Sequence, residues 1–322
     1  MLAADTAVGP LPDGVAGLVS SIDRGDVLGA SRQLTVLGDC LLLLADARAT
    51  EPLRLRAEVH ALVAHVDRTR GASSKAVTNG MALMTDALFR QPPGAATDGD
   101  RLRAAVEDFR TDLTRRLHDL RAHGARLLAS ANVLLAFDYS STVAQVVGDL
   151  AQSRTGLRVL VPEARSLDGG LKYLPDWRLL GLTVHLIPDS AVSWGLTSCD
   201  AVVVGAETLS AEGGCYNTIG TAPTAASAAR AGVPVHVLSV LLKTDLGPSS
   251  SARPIPALDF LDRLDDWVPS RDDSHATVRG DFPDLDYTPP RDISTVVTEH
   301  GPLEPHEVEM AALKALRAER HG

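Results

Sequence analysis

Apolar and polar positions follow two different rhythms along this chain. Up to about residue 126 the apolar residues return every three or four positions, the spacing that gathers them on one face of an α-helix. Leu34, Leu37, Leu41 and Leu44 make one stripe. Leu53, Leu55, Val59, Leu62, Val63 and Val66 make a second, and Met81, Leu83, Met84, Leu88 and Phe89 a third. Leu102, Val106, Phe109, Leu113, Leu117 and Leu120 form a long fourth, with Thr97, Asp98 or Asp100 as its candidate cap. Gln91-Pro92-Pro93-Gly94 separates the last two helices. Neither a strand nor an internal repeat is expected in this half.

From Asn132 the rhythm changes to short apolar runs separated by amphipathic stretches. Strands are predicted at 133–137, 158–161, 183–187, 201–204 and 234–238, with helices near 142–153, 171–180, 191–196 and 223–231. The runs are continuously apolar rather than alternating. Such strands are covered on both faces, so they predict a parallel α/β sheet. A long polar loop is expected at 245–256 and a polar, proline-rich tail to 286. A strand at 293–297 and a closing helix at 305–317 follow; the acidic start and basic end of that helix suit its dipole. The organisation is read as two domains, 1–126 and 127–322.

Composition narrows the function classes. The chain has 322 residues, 45% of them hydrophobic and 22% charged, which is ordinary for a globular protein. With 41 acidic against 31 basic residues the formal charge is -10, which argues against a general nucleic-acid surface. The three cysteines, Cys40, Cys199 and Cys215, are too few and too scattered for a disulfide framework or a zinc site. No run is long and apolar enough to span a bilayer, and the N-terminus lacks a basic stretch before an apolar one. A cytoplasmic protein without membrane partners is the expectation.

Parallel sheets bind ligands at the carboxyl ends of their strands. Those ends carry Asp138-Tyr139-Ser140-Ser141-Thr142, Glu163-Ala164-Arg165, Asp189-Ser190 and Gly205-Ala206-Glu207, followed by an expected turn at 213–221. Ser140, Ser141 and Thr221 stand at helix starts, where hydroxyls and N–H groups either cap the helix or hold an anion; the two roles are compatible. Arg165 is a phosphate fork or a solvated surface arginine. Asp138 and Glu207 are a candidate acid–base pair or hydroxyl ligands; the bland alternative is that each supports its own turn. Arg70-Gly71-Ala72-Ser73-Ser74, ahead of an amphipathic helix, is a second candidate anion loop. Cys215 reads as inert, and His60 and His65 as packing or surface residues.

In this order the segments resemble the initiation factor 2B alpha/beta/delta family, which includes methylthioribose-1-phosphate isomerase and ribose-1,5-bisphosphate isomerase. Val202-Val203-Val204-Gly205-Ala206-Glu207, then Gly213-Gly214-Cys215-Tyr216-Asn217-Thr218-Ile219-Gly220-Thr221, is similar to the family's Val-Gly-Ala-Asp/Glu and Asn-Lys-Ile-Gly-Thr. Phe282-Pro283-Asp284-Leu285-Asp286-Tyr287-Thr288-Pro289-Pro290 resembles its C-terminal signature, and Arg70-Gly71-Ala72 the isomerases' Arg-Gly-Ala loop. The resemblance is strong from about 127 onward and weak before it. It implies an N-terminal all-helical domain followed by a Rossmann-like, mostly parallel sheet domain, with the site between them and a homodimer formed through the C-terminal domain.

The resemblance also implies aldose–ketose isomerisation of a sugar 1-phosphate. Asp138 and Glu207 would be the catalytic pair, and Arg70, Gly71, Ala72, Ser140, Ser141, Arg165, Asn217, Thr218 and Asp245 would bind substrate. Three positions depart from the isomerase pattern. Asp138 stands for a cysteine, Glu207 for an aspartate, and Thr218 for a lysine. The exchange at 138 replaces a thiol of pKa near ~8.5 with an acid near ~3.9. The alternative is a non-catalytic regulatory subunit of the initiation-factor type that binds a sugar phosphate or nucleotide. No metal or organic cofactor is implied, since neither a ligand set nor Gly-x-Gly-x-x-Gly is present.

Overall fold

The computed structural model describes residues 11–27, 29–71, 74–90, 92, 95–247, 257–259 and 280–318. The first half consists of α1 (Asp13–Asp23), α2 (Ala30–Ala47), α3 (Pro52–Thr69), α4 (Lys75–Arg90) and α5 (Ala95–Leu127). The apolar stripes become one core: Val15, Leu37, Leu41, Val59, Met81, Met84, Leu102 and Val106 are all fully buried. Helix α5 starts earlier than the sequence suggests, so Thr97, Asp98 and Asp100 lie inside it rather than capping it. Asp98 instead receives the Arg56 guanidinium, at 2.7 and 3.0 Å, and so ties α3 to α5.

The second half alternates strands and helices: β1 (Val133–Ala136), α6 (Ser141–Ser153), β2 (Arg158–Pro162), α7 (Leu174–Trp177), β3 (Thr183–Ile187), α8 (Val192–Leu196) and β4 (Ala201–Val204). Next come β5 (Thr208–Ser210), β6 (Cys215–Thr218), α9 (Thr221–Ala231), β7 (Val235–Leu238) and β8 (Thr244–Asp245). The chain closes with β9 (Ala257–Asp259), β10 (Asp281–Pro283), β11 (Leu285–Thr288), β12 (Thr295–Thr298), β13 (Gly301–Leu303) and α10 (Val308–Ala318). The main sheet runs β13-β12-β7-β4-β1-β2-β3. Every neighbouring pair in it is parallel except β12 with β13. Its parallel strands follow the 3-2-1-4-5-6 order of the Rossmann fold, in which the winding reverses beside β1.

Strand residues alternate between two cores, which explains why each run is apolar throughout. Val133, Leu135 and Phe137 join the core under α8, α9 and α10. Leu134 and Ala136 join a core that continues without a break into the helical half. Helix α5 runs to Leu127, and the two halves pack as neighbours. Asn79 on α4 donates to the carbonyls of Leu242 (2.8 Å) and Thr244 (3.1 Å). Arg116 on α5 and Glu299 form a buried ion pair at 2.9 Å, and Glu299 also accepts the Leu241 N–H at 2.9 Å.

Four sequence readings are corrected. The 213–221 segment is not simply a turn: it contains β6, part of a second sheet ordered β11-β6-β5-β8. The expected polar tail to 286 contains β9, β10 and the start of β11. The predicted helix at 171–180 is a 3₁₀ turn (Gly169–Tyr173) followed by the short α7. The closing helix begins as a 3₁₀ turn (Pro305–Glu307) with a Glu304/Glu307 capping box. Among the described residues no helix is long and apolar enough to cross a membrane.

Candidate active site

In doubly wound sheets the ligand crevice opens at the carboxyl ends of the strands flanking the reversal. Here those strands are β1 and β4, and the residues just past them lead to Asp138 and Glu207. Asp138 is buried and has a φ of 55°, the left-handed region that few non-glycine residues adopt. The Tyr173 hydroxyl holds this turn: it donates to the Asp138 carbonyl at 2.7 Å and accepts the Ser140 N–H at 3.0 Å. Tyr173 is itself fixed by stacking on Trp177, with ring centroids 4.0 Å apart. Gly169 closes the turn from the other side. A first side-chain carbon there would come within 1.7 Å of Asp138 Oδ1, so only glycine fits.

The Asp138 carboxylate accepts a hydrogen bond of 2.6 Å from Thr218 Oγ1. Burial pushes its pKa above the usual carboxylate range. Thr218 and the Tyr139 N–H pull it down, Lys172 also pulls it down through charge, and Glu207 raises it. The charge of Glu207 therefore acts on Asp138. Glu207 is half-buried, and its N–H is fixed on the Tyr216 carbonyl at 2.9 Å. Asp284 extends the acidic wall. Burial raises its pKa, Glu207 adds to the rise, and Arg70 opposes it. Arg70, at the end of α3, donates to Gln33 Oε1 at 3.3 Å.

The remaining predicted residues take diverse places. Ser140, not Ser141, is the N-cap of α6, accepting the Val143 N–H at 3.4 Å; Ser141 is the exposed first residue of the helix. Gly205 abuts Ser140 closely enough to exclude a side chain. The Gly71 N–H bonds to the Val66 carbonyl at 3.0 Å, and Ala72 lies outside the described residues. The Asn217 amide is buried and donates to Thr221 Oγ1 at 3.1 Å, so it braces its own turn. Asp245 faces Lys75 at 3.7 Å and accepts the Gly247 N–H at 3.0 Å. Arg165 is half-exposed and faces Asp168 at 3.5 Å. The Asp189 carboxylate accepts the N–H groups of Ala164 (2.9 Å) and Arg165 (2.8 Å), so it holds the β2 loop rather than capping its own helix.

The start of α9, an expected anion site, is already occupied by protein. Asp286 accepts the N–H groups of Gly220 at 2.7 Å and Ala222 at 3.0 Å, and Thr221 is the first helical residue rather than the cap. Burial raises Asp286 to about 6. Cys215 is buried in β6 with its thiol pushed up to about 12 by burial, which suits an inert residue. His65 bonds to Asp23 at 2.9 Å, and His60 meets the edge of Phe89. Among the described residues no group of three or more His, Cys, Asp or Glu side chains is arranged to hold a metal.

Sequence reasoning missed Gly169, Lys172, Tyr173, Lys243 and Asp284. Lys243 donates to the Ala206 carbonyl at 2.6 Å, directly before Glu207. The Asp168-Gly169-Gly170 run was the available signal for a tight turn, but it fell ahead of a predicted helix.

A family model described as the initiation factor 2 subunit family matches residues 31–305. Ribose 1,5-bisphosphate isomerase of Haloferax volcanii is 27% identical over 295 residues, 90% of this chain and 88% of that protein. Translation initiation factor eIF2B subunit alpha of Caenorhabditis elegans is 25% identical over 285 residues, 86% of this chain and 90% of that one. The crystal structure of Pyrococcus horikoshii OT3 translation initiation factor eIF-2B superposes with a TM-score of 0.77 at 19% identity, covering 92% of this chain and 98% of that one. At that identity the likeness is one of fold.

Proposed function

The chain belongs to the initiation factor 2 subunit family, and from that premise we propose that it is an aldose–ketose isomerase acting on a sugar 1-phosphate. The observation that carries this reading is the pair Asp138 and Glu207, coupled by charge at the reversal point of the sheet. Burial favours the protonated form of Asp138, which suits a general acid. Glu207, half-buried just past the end of β4, is the base. Isomerisation needs one proton given and one taken at neighbouring atoms, so two carboxyl groups facing one sugar are sufficient when they are held in place. In this reading Arg70, Ser140, Ser141, Arg165 and Thr218 line the space around the sugar phosphate, and two copies associate through the C-terminal half.

The experiment is a thermal shift of the full chain with ribose 1,5-bisphosphate and methylthioribose 1-phosphate, followed by proton NMR for the ketose product. Turnover that Asp138→Asn and Glu207→Gln each reduce at least ~100-fold supports the isomerase. A second reading is favoured by the same departures: carboxylate for thiol at 138 and threonine for lysine at 218. It makes the chain a ligand-binding regulatory subunit. Binding without turnover, at an affinity that Asp138→Ala leaves intact, selects it over the enzyme.

A further inference from the structure

The cations around the crevice differ in what already holds them. Arg70 donates to Gln33, Lys75 faces Asp245, Arg165 faces Asp168, and Lys243 is spent on the Ala206 carbonyl. Lys172 differs. It is exposed, and among the described residues its ammonium has no carboxylate in ion-pair contact; Asp138 attracts it from farther away. Its backbone is nevertheless well fixed. The 3₁₀ turn Gly169–Tyr173 is wedged against the Asp138 turn at both ends, by the Gly169 backbone at one and the Tyr173 hydroxyl at the other. A flexible stem thus rises from a rigid base at the rim of the crevice. An ammonium in that setting is a point charge with three donors, suited to an anionic oxygen.

We propose that Lys172 is the anion receptor on the Asp138 side of the crevice, binding a phosphate oxygen of the ligand beside that carboxyl group. The inference rests on the sugar-phosphate reading above and adds to it the residue that holds the phosphate. Thr218 on β6, which also touches Asp138, carries no charge of its own. A phosphate drawn to Lys172 also brings negative charge next to Asp138 and so favours the protonated acid.

The test is titration of the full chain with inorganic phosphate, followed by calorimetry, for wild type, Lys172→Met and Lys172→Arg. Lys172→Met should weaken phosphate at least about tenfold, and Lys172→Arg should restore it to within about threefold, since the charge and donors return. Equal affinity in wild type and Lys172→Met, or no phosphate binding by wild type, overturns the inference. Lys172 is exposed, so the variants should fold, and a melting curve checks this. With ribose 1,5-bisphosphate, Lys172→Met should raise KM far more than it lowers kcat. Turnover with KM unchanged in Lys172→Met sinks the receptor and leaves the isomerase reading intact. Phosphate binding that depends on Lys172, with no turnover by wild type, sinks the isomerase and leaves the receptor.

Discussion

Replacing Thr218 with valine removes one hydroxyl and almost nothing else. That hydroxyl donates to Asp138 Oδ2 at 2.6 Å, and both residues are buried. A hydrogen bond to an ionised acceptor contributes about 1.5–3 kcal/mol, and a neutral one about 0.5–1.5 kcal/mol. The difference, about 1–1.5 kcal/mol, corresponds to about one pKa unit. Thr218→Val should therefore push Asp138 further above its already raised position. The sign for stability follows. A carboxyl group raised in the folded state contributes stability at low pH and loses it as pH rises through the folded pKa. The variant, raised further, loses more. The stability gap between wild type and Thr218→Val should widen from about 1 kcal/mol below the Asp138 titration to about 2 kcal/mol above it. Urea unfolding at a series of pH values reads the gap, and carbon NMR of labelled aspartate carboxyls reads the titration. A gap that stays constant with pH, together with an unmoved Asp138 titration, would refute this account of the pocket.

Asp286, raised to about 6 from 3.8 by burial, should destabilise the fold by about 3 kcal/mol as pH rises from 4 through 6. That slope should vanish in Asp286→Asn, as pH-dependent melts would show. Glu299→Ala leaves the buried Arg116 with Asp112 and orphans the Leu241 N–H; it should cost about 3 kcal/mol in chemical denaturation. Gly169→Ala must displace the Asp138 carboxylate or the 3₁₀ turn, at about 1–3 kcal/mol, and should lower turnover more than it lowers the melting temperature. Met310 is exposed on α10, on the C-terminal half that carries the proposed dimer; Met310→Glu should shift sedimentation toward monomer.

The centre of the main sheet was legible because β1, β4 and β7 are buried on both faces. Runs such as Val202-Val203-Val204 need no partner to be recognised. The small sheet was not legible: β5, β6 and β11 are three or four residues long and mix polar with apolar side chains. They become strands by pairing with one another: β5 with β6, and β6 with β11, some seventy residues downstream (Asp286 opposite Asn217). The site divides along the same line. Asp138 and Glu207 follow predictable strand ends, so position alone marks them. Asp284 reaches Glu207 only through the β11–β6 pairing. Lys172 reaches Asp138 only because a predicted helix is broken into a 3₁₀ turn against Tyr173. Thr97 and Thr221 show the converse: a residue with the right cap chemistry is not a cap when the helix begins at or before it.

The most direct measurement is a crystal structure of the full chain soaked with ribose 1,5-bisphosphate. The account predicts one sugar phosphate at the β1/β4 reversal, with its reacting carbons between the carboxyls of Asp138 and Glu207. Density for the ligand elsewhere, or those two carboxyls facing separate solvent spaces, would contradict it.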